Sequence, residues 1–164
     1  MTEPTPTPWP KQVPMDRLGV VIVDHGSRRA ESNQALERVV EAFVESNTYR
    51  IVEPAHMELA EPSIATAFEK CVRRGAEWVI VHPFFLLPGR HWSQDIPRLV
   101  AEAAAAHPQV RWLVTAPLAN HPLMGRVMDE RIRHCVAHAA GLTGPCDVCR
   151  DGDGCRFAGA SAGP

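Results

Sequence analysis

Short apolar runs alternate with longer amphipathic stretches along this chain, and no other feature constrains the fold as strongly. Segments typical of strands occur at 18–24, 49–58, 77–86 and 110–115. The first is rich in β-branched residues and fits a strand buried on both faces, whereas the second is weaker and is interrupted by Pro54. The helical spacing of apolar side chains begins near residues 35, 62, 93 and 123, with Ser93 as the expected N-cap of the third helix. This order predicts an α/β fold with an open, mainly parallel four-stranded sheet and helices on both faces.

Three segments are expected along the chain. Residues 1–16 form a proline-rich, disordered leader, residues 17–141 form one α/β domain, and residues 142–164 form a tail rich in glycine and cysteine. No run approaches the roughly 18 apolar residues of a membrane span, and the leader lacks the pattern of a secretory signal. We therefore expect a cytoplasmic protein, in which cysteines are more often thiols or metal ligands than disulfides.

Charge and composition narrow the function classes. A net charge of -2 provides no electrostatic footprint for nucleic acid or an anionic membrane. Eight histidines in 164 residues raise the question of metal binding.

Polar residues follow three of the predicted strands, at the sheet edge where α/β proteins bind ligands. His25 follows the first strand, Glu58 lies at or just past the end of the second, and His91 lies in the loop after the third. Each alone also fits a polar turn, but two imidazoles and a carboxylate together suit a divalent transition metal. Gly26 and Gly89 beside the histidines are expected to permit positive φ or close backbone approach.

The same loops carry groups that suit an anionic substrate. Arg28, Arg29 and Arg90 flank the histidines and are candidates to bind several carboxylates, although solvated loop positions explain Arg28 and Arg29 nearly as well. Trp92 either stacks on a flat ligand or shields the start of the third helix.

Three segments together carry a family resemblance: DHGSRRAES, HMELAEPSI and HPFFLLPGRHWSQDIPRLV. In this order and spacing, over about residues 18–141, they resemble the signatures of the short class II sirohydrochlorin chelatases. The resemblance implies one flavodoxin-like half of a longer chelatase, and a homodimer that completes the cleft. It also implies a lyase that inserts Co²⁺, or alternatively Ni²⁺ or Fe²⁺, into sirohydrochlorin for cobalamin or a related tetrapyrrole.

The resemblance also assigns residue roles. The metal-binding pair of the family matches His25 and His91, and its assisting carboxylate matches Glu58 rather than Glu61. These three residues are the expected catalytic set and metal ligands, while Arg28, Arg90 and Trp92 are the expected substrate-binding residues.

The tail contains a C-x2-C-x5-C pattern made of Cys146, Cys149 and Cys155. These residues supply three ligands, and Cys135, a second subunit or a non-protein ligand would have to complete a metal site. The resemblance implies an iron–sulfur cluster here, since some relatives of these chelatases carry one near the C-terminus, with Zn²⁺ or no metal as alternatives. Cys71 lies in a helical pattern and is expected to pack in the core.

Two other functions use the same features. The histidines equally suit a non-catalytic carrier of metal or tetrapyrrole, and the cysteine tail suits a redox protein with the α/β domain as its scaffold. A flavodoxin-like phosphate-binding domain is less favoured, because no glycine-rich phosphate motif is present.

Overall fold

A computed structural model of the chain describes residues 7–119 and 121–150. Its four strands are β1 (Leu18–Asp24), β2 (Ile51–His56), β3 (Trp78–Pro83) and β4 (Arg111–Val114). They form one sheet in the order β2-β1-β3-β4, and every neighbouring pair is parallel. The predicted parallel four-stranded sheet is confirmed.

The helices are α1 (Ala30–Ser46), α2 (Ile64–Arg73), α3 (Ile96–Ala104), α4 (Pro122–Ala139) and α5 (Asp147–Arg150). The chain divides after Ala119 into two compact units, with the sheet and α1–α3 in the first and α4 and α5 in the second. The segment boundaries at residues 16 and 141 stay predictions. No helix among the described residues is long and apolar enough to cross a membrane.

The core of the first unit has two layers, because the strands bury both faces. On one face, α2 and α3 contribute Phe68, Ile96 and Val100, which pack with Val79 and Val81 of β3. Each such side chain contributes roughly 1.5–3 kcal/mol when it leaves water. On the other face α1 packs against β1, through the buried side chains Leu36, Val40, Leu18, Val20 and Ile22. Helices therefore lie on both faces of the sheet, as predicted.

Close packing between β1 and α2 explains why one of the five cysteines, Cys71, is a small buried residue. Cys71 is fully buried, and a Cβ placed on Gly19 would lie 2.8 Å from the Cys71 Cβ. Burial raises the pKa of the Cys71 thiol to about 12. The prediction of Cys71 as a small core residue is confirmed.

The loop after β3 departs from the expected course. One turn of π-helix spans His91–Asp95 and leads directly into α3, which begins at Ile96 rather than at Ser93. Ser93 therefore lies inside the π-helical turn, where its hydroxyl is 3.5 Å from the carbonyl oxygen of Arg90 and caps no helix. Single π-helical turns widen the backbone locally and are frequent at functional sites.

Candidate metal-delivery site

The loops that follow β2, β1 and β3 lie side by side because β1 is the central strand of the three. The backbone N–H of Met57 donates to the carbonyl of Asp24 over 2.9 Å, and that of Glu58 donates to the carbonyl of His25 over 3.1 Å. These two hydrogen bonds continue the β1–β2 ladder beyond the strands. They place His25 and Glu58 at the same edge of the sheet.

Gly26 permits this close approach. Its φ is +85°, and a Cβ at this position would lie 2.0 Å from the carbonyl oxygen of Glu58. Any side chain would therefore be both strained and obstructed. At Gly89 the structure has open space and no positive φ, so the same expectation does not hold there.

His25 is half-buried and already engaged through both ring nitrogens. Its Nε2 lies 2.9 Å from a carboxylate oxygen of Glu58, and its Nδ1 lies 3.2 Å from the carbonyl oxygen of Gly26. Both partners accept hydrogen bonds, so a metal ion that binds Nε2 takes the place of a proton shared with Glu58.

His91 opens the π-helical turn and lies close to His25. The two imidazole rings are edge-on, with centroids 5.3 Å apart. The Nδ1 of His91 lies 2.9 Å from a carboxylate oxygen of Asp95, and its ring lies 6.4 Å from that of Phe85. In the described part of the chain, no hydrogen-bond partner faces the Nε2 of His91.

Residues that follow neighbouring parallel strands meet at one edge of the sheet, which we call the strand-end rule. The structure brings His25, Glu58 and His91 together, as this rule predicts. It does not arrange them as a three-ligand cage, because among residues 7–119 and 121–150 no group of three or more metal-ligating side chains has that geometry. Glu58 instead pairs with His25, with a carboxylate oxygen 2.9 Å from Nε2 of the imidazole. Among the residues that the structure describes, Nε2 of His91 has no hydrogen-bond partner, and Nε2 of His25 can transfer its proton to Glu58.

Next to these residues lies a histidine–aspartate pair that the sequence pattern did not predict. His56, at the end of β2, is 2% exposed, and its Nδ1 lies 2.6 Å from a carboxylate oxygen of Asp24. The same oxygen accepts the backbone N–H of Gly26 over 2.9 Å. Asp24 therefore ties the end of β2 to the turn that carries His25. Its position directly before His25 is the one sequence signal that pointed to it.

The predicted substrate-binding residues differ in how far they are exposed to solvent. Arg28, Arg29 and Arg90 are exposed. Trp92 is half-buried, and its indole N–H donates to the carbonyl of Thr115 over 2.8 Å. This hydrogen bond fixes the Trp92 ring, while the hydroxyl of Thr115 lies 2.7 Å from Nδ1 of His82. Binding of substrate carboxylates by Arg28 and Arg90 and stacking by Trp92 stay predictions.

The cysteines of the second unit form a separate feature. Cys146 and Cys149 are half-buried at α5, and backbone N–H groups of Cys149 and Val148 lower the pKa of the Cys146 thiol. Cys135 is exposed on α4, and Cys155 lies outside the described residues. The described cysteines are all unbridged thiols and supply no complete set of metal ligands. The iron–sulfur or Zn²⁺ site stays a prediction.

Comparison with known proteins identifies relatives of this arrangement. The model of the CbiX family matches residues 19–135. The chain is 53% identical over 142 residues to a protein of Arabidopsis thaliana named sirohydrochlorin ferrochelatase, chloroplastic, covering 87% of this chain and 63% of the relative. It is 43% identical over 81 residues to the sirohydrochlorin cobaltochelatase of Methanocaldococcus jannaschii, covering 49% of this chain and 57% of the relative.

A solved structure shares the fold as well. The sirohydrochlorin chelatase of Bacillus subtilis subspecies spizizenii, in complex with cobalt, superposes with a TM-score of 0.67 at 30% identity. The match covers 72% of this chain and 50% of that chain. This chain therefore spans less than two thirds of the length of each of these three relatives.

Proposed function

The chain belongs to the CbiX family, and on that premise we propose that it is a sirohydrochlorin chelatase, an enzyme that exchanges two pyrrole protons of the macrocycle for one divalent metal ion. The observation that carries the proposal is the pair of imidazoles, 5.3 Å apart, at an open edge of the sheet beside a carboxylate. The relatives' names and the cobalt-bound neighbour support the same reaction.

The site suits an ion that is passed on rather than retained. Neutral imidazole binds Co²⁺, Ni²⁺ and Fe²⁺ well, and two such ligands leave coordination positions open for the macrocycle nitrogens. His91 supplies its Nε2, which has no hydrogen-bond partner among the described residues, and His25 supplies the second nitrogen after Glu58 takes the proton from its Nε2. The metal is thus held by few bonds, and these can be exchanged one at a time for pyrrole nitrogens.

The same carboxylate is placed to handle protons. Each insertion releases two protons from the macrocycle, and a carboxylate oxygen of Glu58 lies 2.9 Å from Nε2 of His25, where it can accept one of them. It is exposed, so a proton accepted there passes readily to solvent. Arg28 and Arg90, which are exposed on the loops, are our candidates to bind the peripheral carboxylates of the substrate.

The relatives are named for different metals, iron in one case and cobalt in another. The family resemblance carried by the PGRH segment favours Co²⁺, whereas the relative with 53% identity is named as a ferrochelatase. Affinity alone does not report the physiological ion, because it follows the Irving–Williams order in almost any site. We propose Co²⁺ or Fe²⁺ as the inserted ion, with Ni²⁺ as a third candidate, which places the product in cobalamin or siroheme synthesis.

Insertion of each ion into sirohydrochlorin, followed by its visible spectrum under anaerobic conditions, tests this proposal. We expect multiple turnovers with the wild-type protein, and rates close to the uncatalysed background for His25→Ala and His91→Ala. If both variants retain the wild-type rate, the assignment of the site is wrong. Tight stoichiometric binding without turnover would instead indicate a carrier of metal or tetrapyrrole.

A complete enzyme requires two copies in this proposal. The chain spans half the length of the cobalt-bound relative, so a homodimer would supply the missing half of the cleft. A cytoplasmic location is our prediction for the chain, although the Arabidopsis relative is named as chloroplastic. Fractionation of cells that express the protein, with a compartment marker for each fraction, tests the location.

A further inference from the structure

We propose that Asp95 is a positioning residue for metal delivery, which fixes the tautomer and orientation of the His91 imidazole so that Nε2 is the nitrogen offered to the metal. The proposal rests on the proposed function of His91. It assigns a role to a carboxylate that the strand-end rule does not find, because Asp95 lies beyond the loop, at the start of a helix.

The π-helical turn creates the contact. The backbone N–H of Ile96 donates to the carbonyl of His91, five residues earlier, so the turn between them is wider than an α-helical one. His91 and Asp95 stand at its two ends, and the Nδ1 of the imidazole lies 2.9 Å from a carboxylate oxygen. The carboxylate is the less exposed partner, with 25% of its side-chain surface accessible against 49% for His91.

The chemistry of this contact selects one tautomer. A carboxylate only accepts hydrogen bonds, so Nδ1 of His91 must carry the proton that it donates to Asp95. In the neutral imidazole the lone pair is then on Nε2, the nitrogen without a partner in the described chain. Carboxylates that hold metal-binding histidines in this way also increase the basicity of the ligand nitrogen.

A purely structural role for Asp95 is the competing explanation, and the geometry does not favour it. Asp95 directly precedes α3, where an aspartate commonly caps the helix, yet its side chain makes no capping hydrogen bond. The polar contact that the Asp95 side chain does make is the one with Nδ1 of His91. The two histidines also share one arrangement, since Nδ1 of His25 likewise faces an oxygen acceptor, the carbonyl of Gly26.

The tautomer can be measured directly in the metal-free protein. Long-range ¹H–¹⁵N spectra at a pH where the imidazole is neutral distinguish protonated from unprotonated ring nitrogens. We expect the proton of His91 on Nδ1 in the wild type, a mixture or the opposite tautomer in Asp95→Ala, and the wild-type pattern in Asp95→Asn, whose amide oxygen can still accept.

Co²⁺ titration, with the metal alone as probe, measures the consequence. We expect Asp95→Ala to weaken binding by about 10- to 100-fold, the usual effect of losing such a partner, and Asp95→Asn to weaken it less. Glu102→Gln is the matched control: Glu102 accepts from Arg98 over 2.8 Å, also four residues apart on the same helix, with both side chains largely exposed. We expect its Co²⁺ affinity to equal that of the wild type.

His91→Ala separates failure of this inference from failure of the proposed function. If His91→Ala weakens Co²⁺ binding while Asp95→Ala leaves both the tautomer and the affinity unchanged, the positioning role is overturned and the metal site stands. If His91→Ala also binds Co²⁺ as the wild type does, the proposed site itself is wrong. A weaker affinity with an unchanged tautomer would overturn the mechanism proposed for Asp95.

Discussion

At the scale of single residues, three consecutive positions contact three different parts of the neighbouring loop. Asp24 binds the buried His56, His25 meets the Glu58 carboxylate, and Gly26 leaves room for the Glu58 carbonyl. Since these contacts share one short turn, a change at any of the three is expected to displace the other two. Gly26 offers the sharpest test.

Gly26→Ala is expected to lower the free energy of unfolding by at least about 1–3 kcal/mol, the usual cost of a strained φ, because the new Cβ also meets the Glu58 carbonyl at 2.0 Å. Urea unfolding measures the change. Gly89→Ala is the control, since a Cβ there meets nothing within 4 Å, and we expect a change under about 0.5 kcal/mol. Equal effects of the two substitutions would contradict the close approach of the loops.

A second prediction concerns His82, a half-buried residue of β3. Burial lowers the pKa of its imidazole below the ordinary value of about 6.5. The unfolded chain then binds more protons than the folded chain as pH falls through that value, so the free energy of unfolding decreases on acidification. We expect His82→Gln to show a smaller loss of stability between pH 7.5 and pH 5.5 than the wild type. Identical losses would show that His82 binds protons equally in the folded and the unfolded chain, which would contradict the lowered pKa.

The strand-end rule was enough to bring together His25, Glu58 and His91 from sequence. It could not find His56 or Asp95, because their roles depend on burial and on a backbone turn rather than on position after a strand. A buried histidine and a solvated one look alike in a sequence. Only the placement of Asp24 within 2.6 Å identifies His56 as part of the support for the site.

At the scale of elements, the segment between β2 and α2 shows how local polar contacts define a helix start. The hydroxyl of Ser63 accepts the backbone N–H of Thr66 over 3.3 Å, which caps α2. The carboxylate of Glu61 accepts from the backbone N–H of Ser63 and from the Thr66 hydroxyl, and the first of these lowers its pKa most. The Glu61 carboxylate is thus engaged within its own loop, whereas the Glu58 carboxylate contacts His25.

Ser63→Ala is expected to lower the free energy of unfolding by about 1 kcal/mol, the usual value of an N-cap. Chemical denaturation followed by circular dichroism would measure it. Ser93→Ala is the matched control, because the Ser93 hydroxyl makes only a long contact of 3.5 Å with the carbonyl oxygen of Arg90 among the described residues and caps no helix there. A loss at Ser93 as large as that at Ser63 would be inconsistent with the observed helix starts.

The types and order of the elements followed from periodicity, but some boundaries did not. β3 ends at Pro83, although the apolar run continues to residue 86, because Leu86 and Leu87 are exposed in the loop rather than paired in the sheet. An apolar run therefore marked both a strand and the start of the functional loop. Hydrophobicity alone cannot separate the two.

At the scale of the whole molecule, the described surface supports the proposed pairing of two copies. On α4, the side chains of Val127, Met128, Ile132 and Val136 are 51–64% exposed. Apolar side chains repeated on one helix commonly mark an interface. One copy also accounts for only half the length of the cobalt-bound relative.

We expect sedimentation equilibrium to give a mass of about twice the 18.0 kDa of one chain. Ile132 is exposed in the single chain and would be covered in the proposed dimer. Ile132→Glu is therefore expected to shift the equilibrium towards the monomer and to lower insertion activity in parallel, because dimerisation would bury a charge without a partner. Arg133→Gln, a change at an exposed neighbour on α4, serves as the control. A fully active monomer would contradict the need for a second copy.

The packing of Cys71 beside Gly19 has a consequence for chemical labelling. Alkylating reagents attack the thiolate, and a thiol whose pKa is about 12 is almost entirely protonated at neutral pH. Cys71 is also sealed in the core, so the folded protein withholds this sulfur from maleimide dyes while Cys135 is exposed to them. Fluorophores attached under native conditions therefore report from the second compact unit. The slower rate of Cys71 modification then measures how often the first unit opens.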